Sequence, residues 1–249
     1  MSGHDEAAVR EAFVKQDGLM SLIYEKGFSE YAKGLRDLGQ AFTPVQTMVH
    51  CIDEGTPAGM HLAGSGILLG VDKAAEALKK AGVTEITSHD ECGAAGIYAR
   101  ANGLDVSKSD EYGKEFARKL AEKTGLPYKK HIPIGEMARP SGFHIARVAY
   151  YDGTGKFACD WVEDLPGGFQ VSRRFIDAAY ALEEMKVCVG IATGDHGFGA
   201  MITPEAPFVL VVVGDSAGGE FGLEALKKEL EPLVETNGGK VKVDGFVAP

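Results

Sequence analysis

The sequence predicts an α/β fold with a central, mainly parallel sheet flanked by helices. Three observations predict it. Short apolar runs of strand length alternate with amphipathic stretches of helix length, the pattern that builds parallel sheets through helical crossovers. Two consecutive apolar runs, one ending at Cys51-Ile52 and the next just before His89, are separated by one helical stretch, which makes them parallel neighbours. Glycine is in excess, 33 of 249 residues, against a usual ~7%. It shows no collagen period and no linker composition, so these glycines serve turns and close backbone approaches.

Taken in order, residues 5–37 read as two helical segments on Ala8, Phe13, Leu19, Leu22, Ile23 and Leu35, interrupted near Gly18 and Gly27. After Pro44 the run VQTMVHCI reads as a buried strand, followed by the polar loop DEGTPAG. Residues 66–81 form an amphipathic helix stopped by Gly82. A strand over 83–88, a loop over 89–93 and a helix over 94–101 follow, and Ser109 opens a helix through Lys123 closed by Gly125. Strands are expected over 128–134 and 143–151, with a turn at Asp152-Gly153. The remainder reads as a helix over 171–185, strands over 187–192 and 208–213, a helix over 220–235 and a last strand over 241–247. No internal repeat or interdomain linker is evident, so the chain reads as a single domain over 1–249.

The formal charge of −10, without a block of Lys or Arg, argues against nucleic acid or an anionic membrane as partner. The start, MSGHDEAAVREAF, has no basic and apolar leader pattern, and the longest apolar run, 208–213, falls far short of the ~20 residues of a membrane span. The expectation is a soluble, cytoplasmic protein whose four cysteines are reduced thiols.

In parallel sheets ligands collect at the carboxyl ends of strands. Two adjacent strand ends here carry Cys51-Ile-Asp53-Glu-Gly55 and His89-Asp-Glu-Cys92-Gly93. Two thiols, an imidazole and a carboxylate at one end of a sheet are a tetrahedral zinc set, and three protein ligands with one replaceable position are the catalytic pattern. Cys159 and Cys188 sit in apolar surroundings and read as core, and His131 and His144 as structural; His50 should face away from Cys51. The segment from Gly64 to Gly70 opens a helix but lacks dinucleotide spacing and a P-loop lysine. The loop TGDHGFG over 193–199 follows an expected strand and has no assigned role.

These residues make the sequence resemble the beta-class carbonic anhydrases, whose zinc site is built from C-x-D-x-R after one strand and H-x-x-C-G after the next. His61-Leu-Ala63-Gly64-Ser65 is similar to the family's R-N-A-G-N loop, and residues 150–156, YYDGTGK, are similar to its closing strand and turn. The resemblance implies a helical arm over 1–40, a carbonic anhydrase-like core over 41–157 and a C-terminal α/β extension over 158–249 without a counterpart. It implies that Cys51, His89 and Cys92 bind Zn2+, and that Asp53 either ligates the metal or orients its water. It further implies hydration of CO2 to bicarbonate by a zinc-activated water, and a homodimer with N-terminal helices packed on the partner. The family's substrate-side glutamine corresponds to Gln40, with Gln46 competing, and Gly93 completes the substrate side; His61 is the expected proton shuttle.

Where the family has an arginine two residues after the aspartate, this chain has Gly55. That arginine normally pairs with the aspartate and holds it off the metal. In its absence the carboxylate needs another donor, for which backbone N–H groups of 64–66, Thr56 and His61 are the candidates. Zinc with two thiolates and a neutral histidine is a neutral centre, so its water is less acidic than the ~7 reached with three histidines. The departure leaves room for a related zinc hydrolase acting on COS, CS2 or another small electrophile, or for a non-catalytic zinc protein closed by Asp53.

Overall fold

A computed structural model of the chain describes residues 6–249. The first positions of the expected N-terminal arm, residues 1–5, lie outside the described residues. The architecture is α/β, with two four-stranded parallel sheets and helices packed against them.

The arm consists of α1 (Glu6–Lys15), α2 (Asp17–Lys26) and α3 (Phe28–Lys33). The first sheet is built from β1 (Met48–His50), β2 (Met60–His61), β3 (Glu85–His89) and β4 (Tyr128–Ile132), in spatial order β2-β1-β3-β4. Helix α4 (Val71–Ala81) crosses from β2 to β3, and α5 (Gly93–Ala101) and α6 (Ser109–Thr124) lead to β4. The expected pairing of the two motif-bearing strands is found, β1 lying parallel to β3 with Val49 opposite Ile86. Val49 and Ile86 are fully buried, so both strands are held from both faces, as parallel sheets require.

The second sheet comprises β5 (Val148–Asp152), β6 (Phe169–Val171), β7 (Phe208–Gly214) and β8 (Val241–Val247), with α7 (Ala178–Thr193) and α8 (Leu223–Thr236) as crossovers. Its order is β6-β5-β7-β8, the same topology as the first sheet displaced by four strands. The chain therefore contains a repeat of topology that its residues do not advertise. The sheets meet edge to edge, where Gln170 N–H donates to Ile52 O and Ser172 N–H donates to His61 O, both at 3.0 Å. Strand β5, which carries the YYDGTGK segment, lies in the middle of the second sheet and does not close the first.

One expected strand is a helix. Residues 187–192 form the last third of α7, because Ala181, Met185, Cys188, Val189 and Ala192 recur at three- and four-residue spacing and bury one helical face. The strand expected over 143–151 begins only at Val148, and the helix expected from residue 171 begins at Ala178.

Two apolar clusters organise the interior. The larger fills the space between the sheets and their helices, running through Ile86, Leu120, Phe169, Leu210 and Leu230. The smaller lies between the N-terminal helices and the second sheet, where Phe28 stacks on Phe246 at 5.8 Å and Met20 and Ile23 pack with it. The arm thus embraces its own chain. Arg147, fully buried beside β5, ties it down: its guanidinium lies 3.8 Å from the centre of the Phe13 ring and pairs with Asp17. Among the described residues no helix is long and apolar enough to cross a membrane.

Candidate metal centre

Parallel pairing of β1 and β3 places the residues that follow them side by side. Cys51 comes directly after β1, His89 ends β3, and Cys92 caps α5 after a tight turn in which Glu91 takes φ of +56°. The Cys51 and Cys92 sulfurs and a His89 ring nitrogen all lie within 4.8 Å of one another, and the three residues are buried. The sulfurs are 3.9 Å apart. Tetrahedral zinc with Zn–S near 2.3 Å needs about 3.8 Å, whereas a disulfide needs about 2.05 Å. All four cysteines are free thiols.

The orientation of His89 is decisive. Its Nδ1–H donates to the Asp90 carbonyl at 2.7 Å, which leaves Nε2 as the ring nitrogen open to a ligand. That Nε2 is buried with no hydrogen-bond partner. A buried, unpartnered imidazole nitrogen beside two thiols fits a metal ligand, and the backbone bond on the other nitrogen is the usual device for fixing the ligating ring. The titratable groups of the cluster are strongly displaced. Burial pushes His89 down, but Cys51 and Asp53 outweigh it and raise the ring to about 9, while burial and the Cys92 thiol push Cys51 far up. Strongly displaced groups of this kind mark functional sites. Gly64 N–H donates to the Cys51 sulfur at 3.2 Å.

Asp53 is 3% exposed and is held by a residue that sequence reasoning missed. Arg139 Nε lies 2.9 Å from Asp53 Oδ1 and 3.0 Å from Oδ2, and Gly55 N–H donates to Oδ1 at 2.9 Å. The remaining guanidinium nitrogens reach Glu91 and the Pro140 carbonyl, and Glu91 is fixed in turn by Ser141 and Gly142. Burial pushes the Asp53 carboxyl up, but His89, His144 and Arg139 outweigh it and hold it below the usual carboxylate range.

Gly55 now has a physical reason. A Cβ there would stand 2.9 Å from Arg139 Cγ and 3.0 Å from Met137 Cε. The space that a side chain at position 55 would fill is taken by an arginine arriving from the loop between β4 and β5. None of the expected substitutes serves. The Gly64 N–H goes to the Cys51 sulfur, Thr56 Oγ1 donates to the backbone carbonyls of Cys51 and Asp53, and His61 Nδ1–H donates to the Cys51 carbonyl at 2.8 Å.

His61 differs from the shuttle expected of it. It is 1% exposed, its Nε2 faces the Gln170 amide at 3.3 Å, and burial pushes it down to about 4. It is a neutral structural group. Gln40 is exposed on the turn Leu38–Phe42, and Gln46 bonds the Phe157 carbonyl. Neither lines the cavity of about 310 Å³ that opens beside Cys92. Gly93 does line it, at the start of α5, with Cys92, Glu91, Arg139, His144 and His196, and Ile97 and Ile191 form its apolar wall.

Among the described residues three further histidines are tied into side-chain bonds, although the second nitrogen of His50, Nε2, is also buried without a partner. His50 donates from Nδ1 to Thr87, His131 bridges Ser88 and Asp90, and His144 bonds Glu54 at 2.7 Å. Asp53, Glu54 and His144 form a second close group of ligand-type atoms, but Arg139 and backbone N–H groups already satisfy its carboxylates. The chain matches no family model, no curated protein and no solved structure.

Proposed function

We propose that the chain is a zinc-dependent hydratase of the beta carbonic anhydrase kind, converting CO2 to bicarbonate, with Cys51, His89 and Cys92 as the metal ligands. The observation that carries this reading is the buried Asp53–Arg139 pair. Bound by Arg139 and Gly55, the carboxylate is occupied away from the cysteines, which leaves three protein ligands and a replaceable fourth position. A permanently closed, non-catalytic site would instead need Asp53 free to turn to the metal.

Zinc in this set supplies Lewis acidity toward water, weakened relative to an all-histidine centre because two thiolates cancel its charge. Asp53, kept ionised by Arg139, accepts a hydrogen bond from the attacking water and orients it. The apolar wall of Ile97 and Ile191 suits a small uncharged electrophile. Proton exit falls to His196, the exposed histidine on the cavity rim, since His61 is sealed and neutral.

Stopped-flow hydration of CO2 by zinc-loaded protein, scanned from pH 6 to 9, tests the reading. Turnover is expected to rise through alkaline pH. Stoichiometric zinc with no rate above buffer even at the alkaline end overturns it, and turnover of COS or CS2 alone reassigns the electrophile.

A further inference from the structure

Glu184, on α7 of the second sheet's layer, is 2% exposed and has no place in the chemistry above. Its Oε1 accepts the Ala63 N–H at 2.9 Å, and its Oε2 has no hydrogen-bond partner among the described residues. A buried carboxyl with one hydrogen bond is a costly choice where a leucine or methionine would pack against Ala181, Met185 and Cys188. Burial pushes it up to about 8.

The one bond it makes goes to an unusual place. Ala63 opens the turn Ala63–Gly66, which runs through left-handed backbone at Gly64 (φ 55°), Ser65 (φ 57°) and Gly66 (φ 104°). Ser65 adopts this conformation although it has a side chain, and its hydroxyl donates to the Thr87 carbonyl at 2.8 Å. At Gly64 a Cβ would stand 2.6 Å from Ile67 Cγ2, so only glycine fits. The product of this contorted backbone is the Gly64 N–H aimed at the Cys51 sulfur. An N–H bond to a thiolate stabilises its charged form and fixes its direction.

We infer that Glu184 is a positioning residue of the metal centre: by gripping Ala63 N–H it holds the turn that delivers Gly64 N–H to Cys51. The inference rests on Cys51, His89 and Cys92 being metal ligands. It also means that the first sheet's centre depends on a helix of the second.

The test is chelator competition on zinc-loaded wild-type, Glu184→Gln, Glu184→Leu and Glu184→Met proteins, alongside thermal unfolding. Glu184→Gln keeps an amide oxygen for Ala63 N–H and is expected to hold zinc like wild type. The two apolar variants are expected to lose 10- to 100-fold in zinc affinity while unfolding at the same or higher temperature, a divergence that a purely structural residue would not produce. Apolar variants that fold and retain zinc as tightly as wild type overturn the inference alone. A wild-type protein that retains no zinc overturns the metal-centre reading and the inference with it. Should neither apolar variant fold, wild-type protein loaded with 113Cd decides: the Gly64 amide proton is expected to couple to the metal through the Cys51 sulfur, and absence of that coupling overturns the inference.

Discussion

At the scale of single residues, the Asp53–Arg139 pair makes the sharpest prediction. Arg139→Leu is expected to lower kcat/KM on the order of 100-fold and to destabilise the fold by about 3–5 kcal/mol, because it strands a buried carboxylate. Zinc content should be unchanged, and loss of zinc would show that Arg139 acts on the ligands instead. Gly55→Ala should displace Arg139 through overpacking, costing about 1–3 kcal/mol, read by thermal or denaturant unfolding. A second prediction concerns acid. His50 and His61 are buried and pushed down to about 3 and about 4, chiefly by desolvation. Their folded values lie below the unfolded ~6.5, so the stability they carry is present above that pH and is lost as pH falls through about 4. Each is worth on the order of 3 kcal/mol. Unfolding temperature should therefore drop from pH 6.5 toward 4, and the drop should be shallower in His61→Gln; an equal slope would remove His61 as a cause. Cys51, His89, Cys92 and Asp53 were legible in the sequence because strand order and short spacing place them together. Arg139 was not: it lies 86 residues from Asp53, and only the glycine left in its space hinted at an incoming side chain.

At the scale of elements, what the sequence hid follows from length and context. Strands β2 and β6 have two and three residues, too short for a period-two pattern to register. The run VCVGIA carries β-branched residues yet continues a helix, because burial of one face of α7 overrides local propensity. The long helices α4 and α6 were readable from amphipathic spacing and from their closing glycines, Gly82 and Gly125, both left-handed in the structure. The turn Ala63–Gly66 carries a prediction of its own. Gly64→Ala places a Cβ 2.6 Å from Ile67 in left-handed backbone and is expected to destabilise by about 1–3 kcal/mol, read by denaturant unfolding. Zinc loaded at the proposed centre should exchange faster in this variant, since the donor to Cys51 moves with the turn. Unchanged stability would mean that the turn has room the geometry does not indicate.

At the scale of the molecule, the resemblance drawn from the motifs implies a homodimer with the N-terminal helices packed on the partner, whereas here those helices pack on their own chain. The β2 edge bonds to β6, and α2 and α3 cover the chain's own second sheet. Light scattering at micromolar concentration is expected to return the mass of one chain, 26.4 kDa; twice that mass would mean that another surface pairs.

The doubled strand order has a further consequence for how the chain tolerates change. At the ends of β5 and β7, where the first sheet carries cysteine and histidine, the second carries Asp152-Gly153 and Gly214-Asp215. With no thiol or imidazole there, one ion per chain is the expected loading. The second unit is thus released from chemistry at its own strand ends, while Glu184, Ile191 and His196 reach into the neighbouring unit. Within α7 and the loop after it, the intolerant positions should lie on the side turned toward Cys51. Asp152, Gly153 and Gly214, by contrast, are held by their own turns: Asp152 accepts the Thr154 and Phe157 N–H groups, and a Cβ at Gly153 or Gly214 would strike Leu226 or Leu223.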